Sequence, residues 1–312
     1  MVAPTLAVDL GGTHMRCARV LPDGTIADRV LEPTPHDGTS TSALVSLMTR
    51  VAGLGPCESS VIGVPGRVDY RYGALEYAPN LPPGWVAELT ESSLVAGVGL
   101  PVALANDADL AAVGEAYWGA GTGFTDVAYV TISTGVGAGV VLSGLLVHGR
   151  RSLAELGHSV IALDRLRLGQ PATVEDLASG TALGKASAQI GLGPLGHDVL
   201  DAVERGNPAA RAVWDDLVAA AAVGLVDLAW LFSPEVIVVG GGLGLVGDVL
   251  LGPLREALVA HGPPAMDPPI AVVPASLGDD AGLAGAAAWG RAFRPEAAGR
   301  ATDSGRATGA GG

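Results

Sequence analysis

Asn106 and Asp107 close an apolar run over residues 101–105, and a carboxylate at that point can take the proton of a hydroxyl as its oxygen attacks phosphorus. The same pair would also supply an Asx cap for a helix starting near Ala108, with Asp109 a competitor for either role. Asp9-Leu10-Gly11-Gly12-Thr13 and Thr134-Gly135-Val136-Gly137-Ala138-Gly139 are small-residue turns that follow apolar runs. Successive N–H groups in such turns can form an anion-binding nest, and small side chains let a phosphate come close. Asp9, at the strand end, could hold a magnesium ion through water. Each turn by itself also reads as a plain tight hairpin, the second with bulge glycines. Two of them in matching positions suggest opposed walls that grip a nucleotide.

A third glycine cluster, Gly240-Gly241-Gly242, follows a buried strand and opens toward a helix, where a flat ring or phosphate can approach closely. It lacks the GxGxxG pattern of nicotinamide binding, and the chain has neither GxxxxGK[ST] nor the protein-kinase motifs. Glu155-Leu156-Gly157-His158, with Glu175 further on, offers carboxylates and an imidazole suited to vicinal hydroxyls. Taken singly, these residues read as solvated helix carboxylates and a structural histidine.

The elements that must position these groups follow a repeated grammar. Residues 6–10, 15–21 and 25–31 read as a three-stranded meander with a glycine-rich first turn. The pattern restarts at residue 126, with strands over 126–132, 140–142 and 145–147, giving an internal structural repeat. Helices are predicted over 42–52, 108–117, 208–232, 248–260 and 280–293, with strands at 61–64, 236–239 and 270–273. Two α/β halves with a cleft between them summarise the pattern. The tail, 294–312, has no periodicity and reads as disordered.

Composition narrows the function classes. Of 312 residues 49% are hydrophobic and only 4% aromatic, so the core must be built from Ala, Val and Leu. With 32 acidic against 18 basic residues, the net charge of −14 disfavours nucleic acid and acidic membranes as partners. Lys185 is the only lysine, so a phosphate-bearing ligand must be held largely by backbone N–H groups and a metal ion. Cys17 and Cys57, without CxxC spacing or a leader segment, point to a reduced cytoplasmic setting. The longest apolar stretch, 217–232, contains Asp227 and is too short to span a bilayer.

Together these residues resemble the ROK family (repressors, open reading frames, sugar kinases) of the actin-like sugar-kinase superfamily. The matching stretches run in order from AVDLGGT through GVPGRVD, APNLPPGW, PVALANDADLAAVGEA, TISTGVGAG, AELGH, VEDLASG and SPEVIVVGGG to GDDAGLAGAA. The resemblance implies a two-domain actin-like (ribonuclease H-like) α/β fold whose domains close over sugar and MgATP. It places residues 1–108 in a small domain completed by the C-terminal helix 281–293, and 109–280 in a large one. Asp107 would be the catalytic base for the sugar 6-hydroxyl, and Asn80, Asn106, Asp107, Glu155, His158 and Glu175 would line the sugar site. Gly11, Gly12, Thr13, Thr134 and Gly135 would hold phosphates, and Gly240, Gly241 and Gly242 would flank the nucleoside. A homodimer is the family habit.

This chain also departs from the family. Family kinases commonly carry a CxCGxxGC zinc site after the GH pair, whereas residues 159–174 here contain no cysteine, so zinc is not expected. His14 replaces a frequent lysine and Asp109 a frequent asparagine. Family repressors carry an N-terminal helix-turn-helix domain, but here the first phosphate turn begins almost at Met1, which argues against DNA binding. The leading expectation is therefore a glucokinase-type hexose 6-kinase. Kept beside it are an aminosugar kinase acting on kanosamine or N-acetylmannosamine, a polyphosphate donor in place of ATP, and a non-catalytic sugar sensor.

Overall fold

In the computed structural model, which describes residues 3–36, 40–264 and 268–293, alternate residues of the first strand enter different cores. Along β1 (Thr5–Leu10), Leu6, Val8 and Leu10 pack with Leu44, Leu47 and Met48 of α1 (Ser40–Ala52). Ala7 instead joins the core shared by the two halves, and Asp9 has the same parity as Ala7. That alternation aims Asp9 toward the junction of the halves.

The first sheet has the order β3-β2-β1-β4-β7, where β2 is His14–Val20, β3 Ile26–Pro33, β4 Ser59–Val64 and β7 Val102–Asn106. β1, β2 and β3 form the antiparallel meander, and β4 and β7 add in parallel. A hairpin of β5 (Arg67–Asp69) and β6 (Ala74–Tyr77) leaves this sheet, followed by α2 (Pro83–Glu88) and α3 (Glu91–Val98). The second sheet repeats the plan as β10-β9-β8-β11-β12, where β8 is Val127–Ile132, β9 Val136–Leu142, β10 Leu145–Leu146, β11 Val236–Gly240 and β12 Ala271–Pro274. Again a meander is extended by two parallel strands. The parallel strands are continuous apolar runs because helices cover both faces.

Two helices cross between the sheets. The helix after β7, α4 (Asp107–Trp118), packs on β8 and β9 of the second sheet. Between β10 and β11 lie α5 (Leu163–Arg167), α6 (Val174–Ala178), α7 (Gly180–Gln189), α8 (Gly196–Glu204) and α9 (Pro208–Phe232). After β11 come α10 (Gly241–Gly244) and α11 (Asp248–His261), and after β12 comes α12 (Ala281–Ala292), which packs on β1, β2 and β4 of the first sheet. The halves thus exchange helices, and α4 lies against α12. That approach needs glycine: a side chain on Gly114 would strike the Ala281 carbonyl, and one on Gly285 the Leu110 carbonyl.

Helix ends follow local chemistry. Asn207 caps α9 by accepting from Ala209 and Ala210, Pro208 occupies its first turn, and Ser233 ends it in the left-handed region. The structure corrects one reading of the second glycine cluster. The turn is only Ser133-Thr134-Gly135; Gly137 and Gly139 belong to β9 and pack beneath α4. A methyl group on Gly139 would lie 2.6 Å from Cβ of Ala112, so this glycine admits the helix rather than a phosphate. The tail expected to be disordered, 294–312, lies outside the described residues. Among the described residues no helix is long and apolar enough to cross a membrane.

Candidate active site

At the junction of β7 and α4 the cap and the candidate base are separate residues. Asn106 Oδ1 accepts from the backbone N–H of Ala108 (2.9 Å) and of Asp109 (3.1 Å), so Asn106 is the helix cap. Its Nδ2 donates to the Gly66 carbonyl at 2.9 Å, and its side chain is therefore engaged at both ends within the protein. Asp107 is left at the first helical position with its carboxylate open to the cleft.

Asp107 lines two hollows at once. One, of about 580 Å³, holds Asn80, Asn106, Glu155, His158 and Glu175 around its wall. The other, of about 260 Å³, is walled by Asp9, Arg16, Gly241, Gly242, Gly278 and Asp279. Although Asp107 can be reached from the cleft, both lobes crowd it, and that desolvation is the main cause pushing its carboxyl up to about 7. The negative charge of Asp9 adds to the rise, and the Ala108 N–H opposes it. A carboxyl near 7 can take a proton at neutral pH.

Both phosphate-candidate turns are braced from outside. In the first, Thr34 Oγ1 donates to the Gly11 carbonyl at 2.6 Å and His36 Nε2 bonds the Gly12 carbonyl at 2.9 Å. Gly12 sits on the backbone of Asn80, where a methyl group would lie 2.7 Å from the carbonyl oxygen. Gly11, Gly12 and Thr13 line a third hollow, of about 540 Å³, that shares Asp9, Arg16 and Asp279 with the 260 Å³ one. In the second turn, Thr181 Oγ1 donates to the Thr134 carbonyl at 2.7 Å, and Gly180 N–H to that of Ser133 at 2.6 Å. Thr134 and Gly135 face the larger, 580 Å³ hollow, while Ser133 borders both it and the 260 Å³ one.

On the wall of the 580 Å³ hollow, Glu175 Oε2 accepts from Val136 N–H at 2.9 Å, which ties the start of α6 to β9. A side chain on Gly135 would collide with that carboxylate, and one on Gly157 with the Val136 carbonyl. Glu155 lies 4.0 Å from His158, and burial raises its carboxyl while His158 opposes the rise. His158 and Asn80 are exposed at the rim. The family's zinc does not fit these residues. Cys17 is buried in the first sheet, and the segment after His158 is closed by backbone instead. Val160 bridges Thr173, Ile161 N–H donates to Ala172 at 2.9 Å, and Asp176 accepts from Ala172 and Thr173.

The glycines of the third cluster have different duties. A methyl on Gly240 would lie 2.6 Å from the Tyr129 hydroxyl, and Gly241, at φ +79, lies against the Ile132 backbone. Gly242 alone of the three has open space before it, on the wall of the 260 Å³ hollow. Sequence reasoning missed Arg16. Its guanidinium pairs with Asp9 at 2.6 Å and donates to the Asp279 carbonyl at 2.9 Å. The signal was available, because counting back from the first turn pairs Asp9 with Arg16 across the hairpin. Asp109, weighed against Asp107 in the sequence, is wholly buried. It accepts from Tyr70 Oη at 2.6 Å and Ser152 Oγ at 3.1 Å, and so joins α4 to the loop leading to Glu155.

A repeated pair of meander sheets, with hollows meeting at one carboxylate between them, is the two-domain actin-like plan, and the sequence pattern of the ROK family matches residues 5–292. The chain belongs to that family. It is 31% identical to a glucokinase of Thermotoga maritima, over 90% of this chain and 95% of that one. A glucokinase of Streptomyces coelicolor is 34% identical over 91% and 96% of the two chains. The crystal structure of a ROK glucokinase from Streptomyces griseus in complex with glucose and AMPPNP superposes with a TM-score of 0.76 at 32% identity, covering 91% of this chain and 98% of that one.

Proposed function

We propose that the protein transfers the terminal phosphoryl group of ATP to the 6-hydroxyl of glucose or a glucose-like hexose. The observation that carries this reading is the position of Asp107 on the common wall of the 580 Å³ hollow, here taken as the acceptor side, and the 260 Å³ hollow, taken as the donor side. A hydroxyl presented from one side and a phosphoryl group from the other would meet at this carboxylate, which accepts the proton as the new O–P bond forms. Glu155, His158, Glu175 and Asn80 orient the sugar. Gly11, Gly12 and Thr13 present one turn to the phosphates, Thr134 and Gly135 face them from the sugar side of Asp107, and Gly242, with Gly241 behind it, flanks the nucleoside. Magnesium, held through water near Asp9, would offset charge on the phosphates. In this reading residues 1–108 with 281–293 form one lobe and 109–280 the other, and the enzyme works in the cytoplasm as a homodimer.

The test is a coupled assay of wild type and Asp107→Asn with MgATP and polyphosphate as donors and glucose, kanosamine and N-acetylmannosamine as acceptors. Loss of a general base costs about 10²–10⁴ in kcat. Turnover of Asp107→Asn near wild type would remove Asp107 as the base. Binding of sugar by the wild type without turnover from either donor would favour the sensor reading.

A further inference from the structure

Glu115 is fully buried in the last turn of α4 and faces no cation among the described residues, yet both its oxygens are fully used. Oε1 accepts from the backbone N–H groups of Ser276 (3.1 Å) and Leu277 (2.8 Å). Oε2 accepts from Ala120 N–H at 2.8 Å, and from the N–H and hydroxyl of Ser276 at 3.2 and 3.4 Å. Its partners at 276 and 277 lie some 160 residues away in the chain, at the end of β12. Two residues further on, Gly278 and Asp279 form part of the donor-side wall, and Asp279 also receives Arg16 on its carbonyl. Gly278 has a φ of +54, so this wall is a sharp bend whose place depends on what holds its start.

A buried carboxylate satisfied only by N–H and O–H groups is demanding in geometry, since each lost bond leaves a charge without its solvation. Gly114, next to Glu115, lets the Ala281 carbonyl come against α4. Neighbouring residues of the helix that begins at Asp107 therefore fix both the loop 276–280 and the start of α12. Gly282, on the same short stretch, also lines the donor-side hollow.

We propose that Glu115 is a positioning residue for the nucleotide, holding the 276–279 wall of the donor-side hollow to the helix that carries Asp107. The proposal rests on the kinase reading and deepens it, by assigning a donor-specific role to a side chain that touches neither substrate. Replacing the carboxylate by an amide turns an NH2 group toward N–H donors and breaks the clasp on one side without changing its size.

The experiment compares wild type, Glu115→Gln and Glu115→Asp in steady-state kinetics with MgATP and glucose varied separately, and measures ADP binding by calorimetry. Loss of a charge-assisted hydrogen bond weakens an interaction by about tenfold or more. The expected result is a KM for MgATP and a Kd for ADP raised by about that factor, with the KM for glucose within about twofold of wild type. Glu115→Asp, which keeps the charge but falls short of Ser276 and Leu277, is expected to show the same split and decides the matter if Glu115→Gln does not fold. A lowered melting temperature with both KM values and the ADP Kd unchanged would overturn the proposal, as would equal losses for both substrates. The ADP measurement separates this from the kinase reading, because it reads the donor site even if no sugar is phosphorylated.

Discussion

Asn106 accepts the two N–H groups that open α4, and Asp107, the next residue, is thereby spared from capping its own helix. The division of labour between these neighbours keeps a carboxylate at a helix start aimed outward. Asp107 retains only a local bond from Ala108 N–H, at 2.8 Å.

Asn106→Ala removes the cap and also the bond to the Gly66 carbonyl. Loss of an Asx cap costs about 1 kcal/mol of stability. With the cap gone, Asp107 Oδ1 is the acceptor left near the Ala108 and Asp109 N–H groups, and it is expected to be drawn into that role. The expected outcome is a fall in melting temperature of about 2–4 °C together with a fall in kcat of about tenfold. Asn106→Ser, which restores a cap acceptor, should recover most of the stability. Thermal unfolding and initial rates on the three proteins check this, and unchanged kcat in Asn106→Ala would separate the cap from catalysis.

The pH profile follows from the environment of Asp107. Its carboxyl stands at about 7 rather than 3.8, and only the ionised form can accept a proton. kcat/KM should therefore fall about tenfold per pH unit below 7 and level off above it. The charge of Asp9 adds more to the rise than any other nearby charge, so Asp9→Asn should move the acidic limb to lower pH. Stability runs the other way. Between 3.8 and about 7 the folded chain keeps a proton that the unfolded chain has released, so this group's contribution is full below 3.8 and is lost as pH rises through 7. Asp107→Asn should consequently melt higher than wild type at pH 8, with the advantage shrinking toward pH 5. A kcat/KM limb unaltered by Asp9→Asn would contradict the coupling.

What was legible in the sequence was local. The glycine turn after β1, the Asn106 cap and the Pro208 helix start follow from a few adjacent residues and stand within a residue or two of where the sequence placed them, whereas the turn after β8 ends four residues sooner than expected. The repeat of two meanders was legible for the same reason. Long-range contacts were not. Nothing near Glu115 announces Ser276, and nothing near Gly114 announces Ala281; the return of α12 to the first sheet was expected only from the family resemblance. Gly137 and Gly139 were misread as turn residues because a glycine that admits a helix and a glycine that admits a phosphate look alike in one dimension. Asp109 could be told from Asp107 only once Tyr70 and Ser152 were placed beside it.

Arg16 is the cation that composition led us to discount. With one lysine in the chain, the sequence assigned phosphate binding largely to backbone and metal, yet this guanidinium stands on the wall shared by the 260 Å³ and 540 Å³ hollows. Asp9 holds it at 2.6 Å, and the Asp279 carbonyl at 2.9 Å, so the half-buried guanidinium is already fixed at this wall. Arginine forks match phosphate oxygens well, and turning from Asp9 to a phosphate would also release Asp9 to water bound by magnesium. Arg16→Gln should raise the KM for MgATP by about tenfold or more, since a charge-assisted bond is lost. The KM for glucose should stay near wild type, because the acceptor-side wall does not include Arg16. Arg16→Lys should recover part of the loss and require more magnesium than wild type, as a point charge cannot serve Asp9 and phosphate with the same fork. Initial rates over a grid of ATP and magnesium concentrations read both effects, and an unchanged KM for MgATP in Arg16→Gln would leave Arg16 as a partner of Asp9 only.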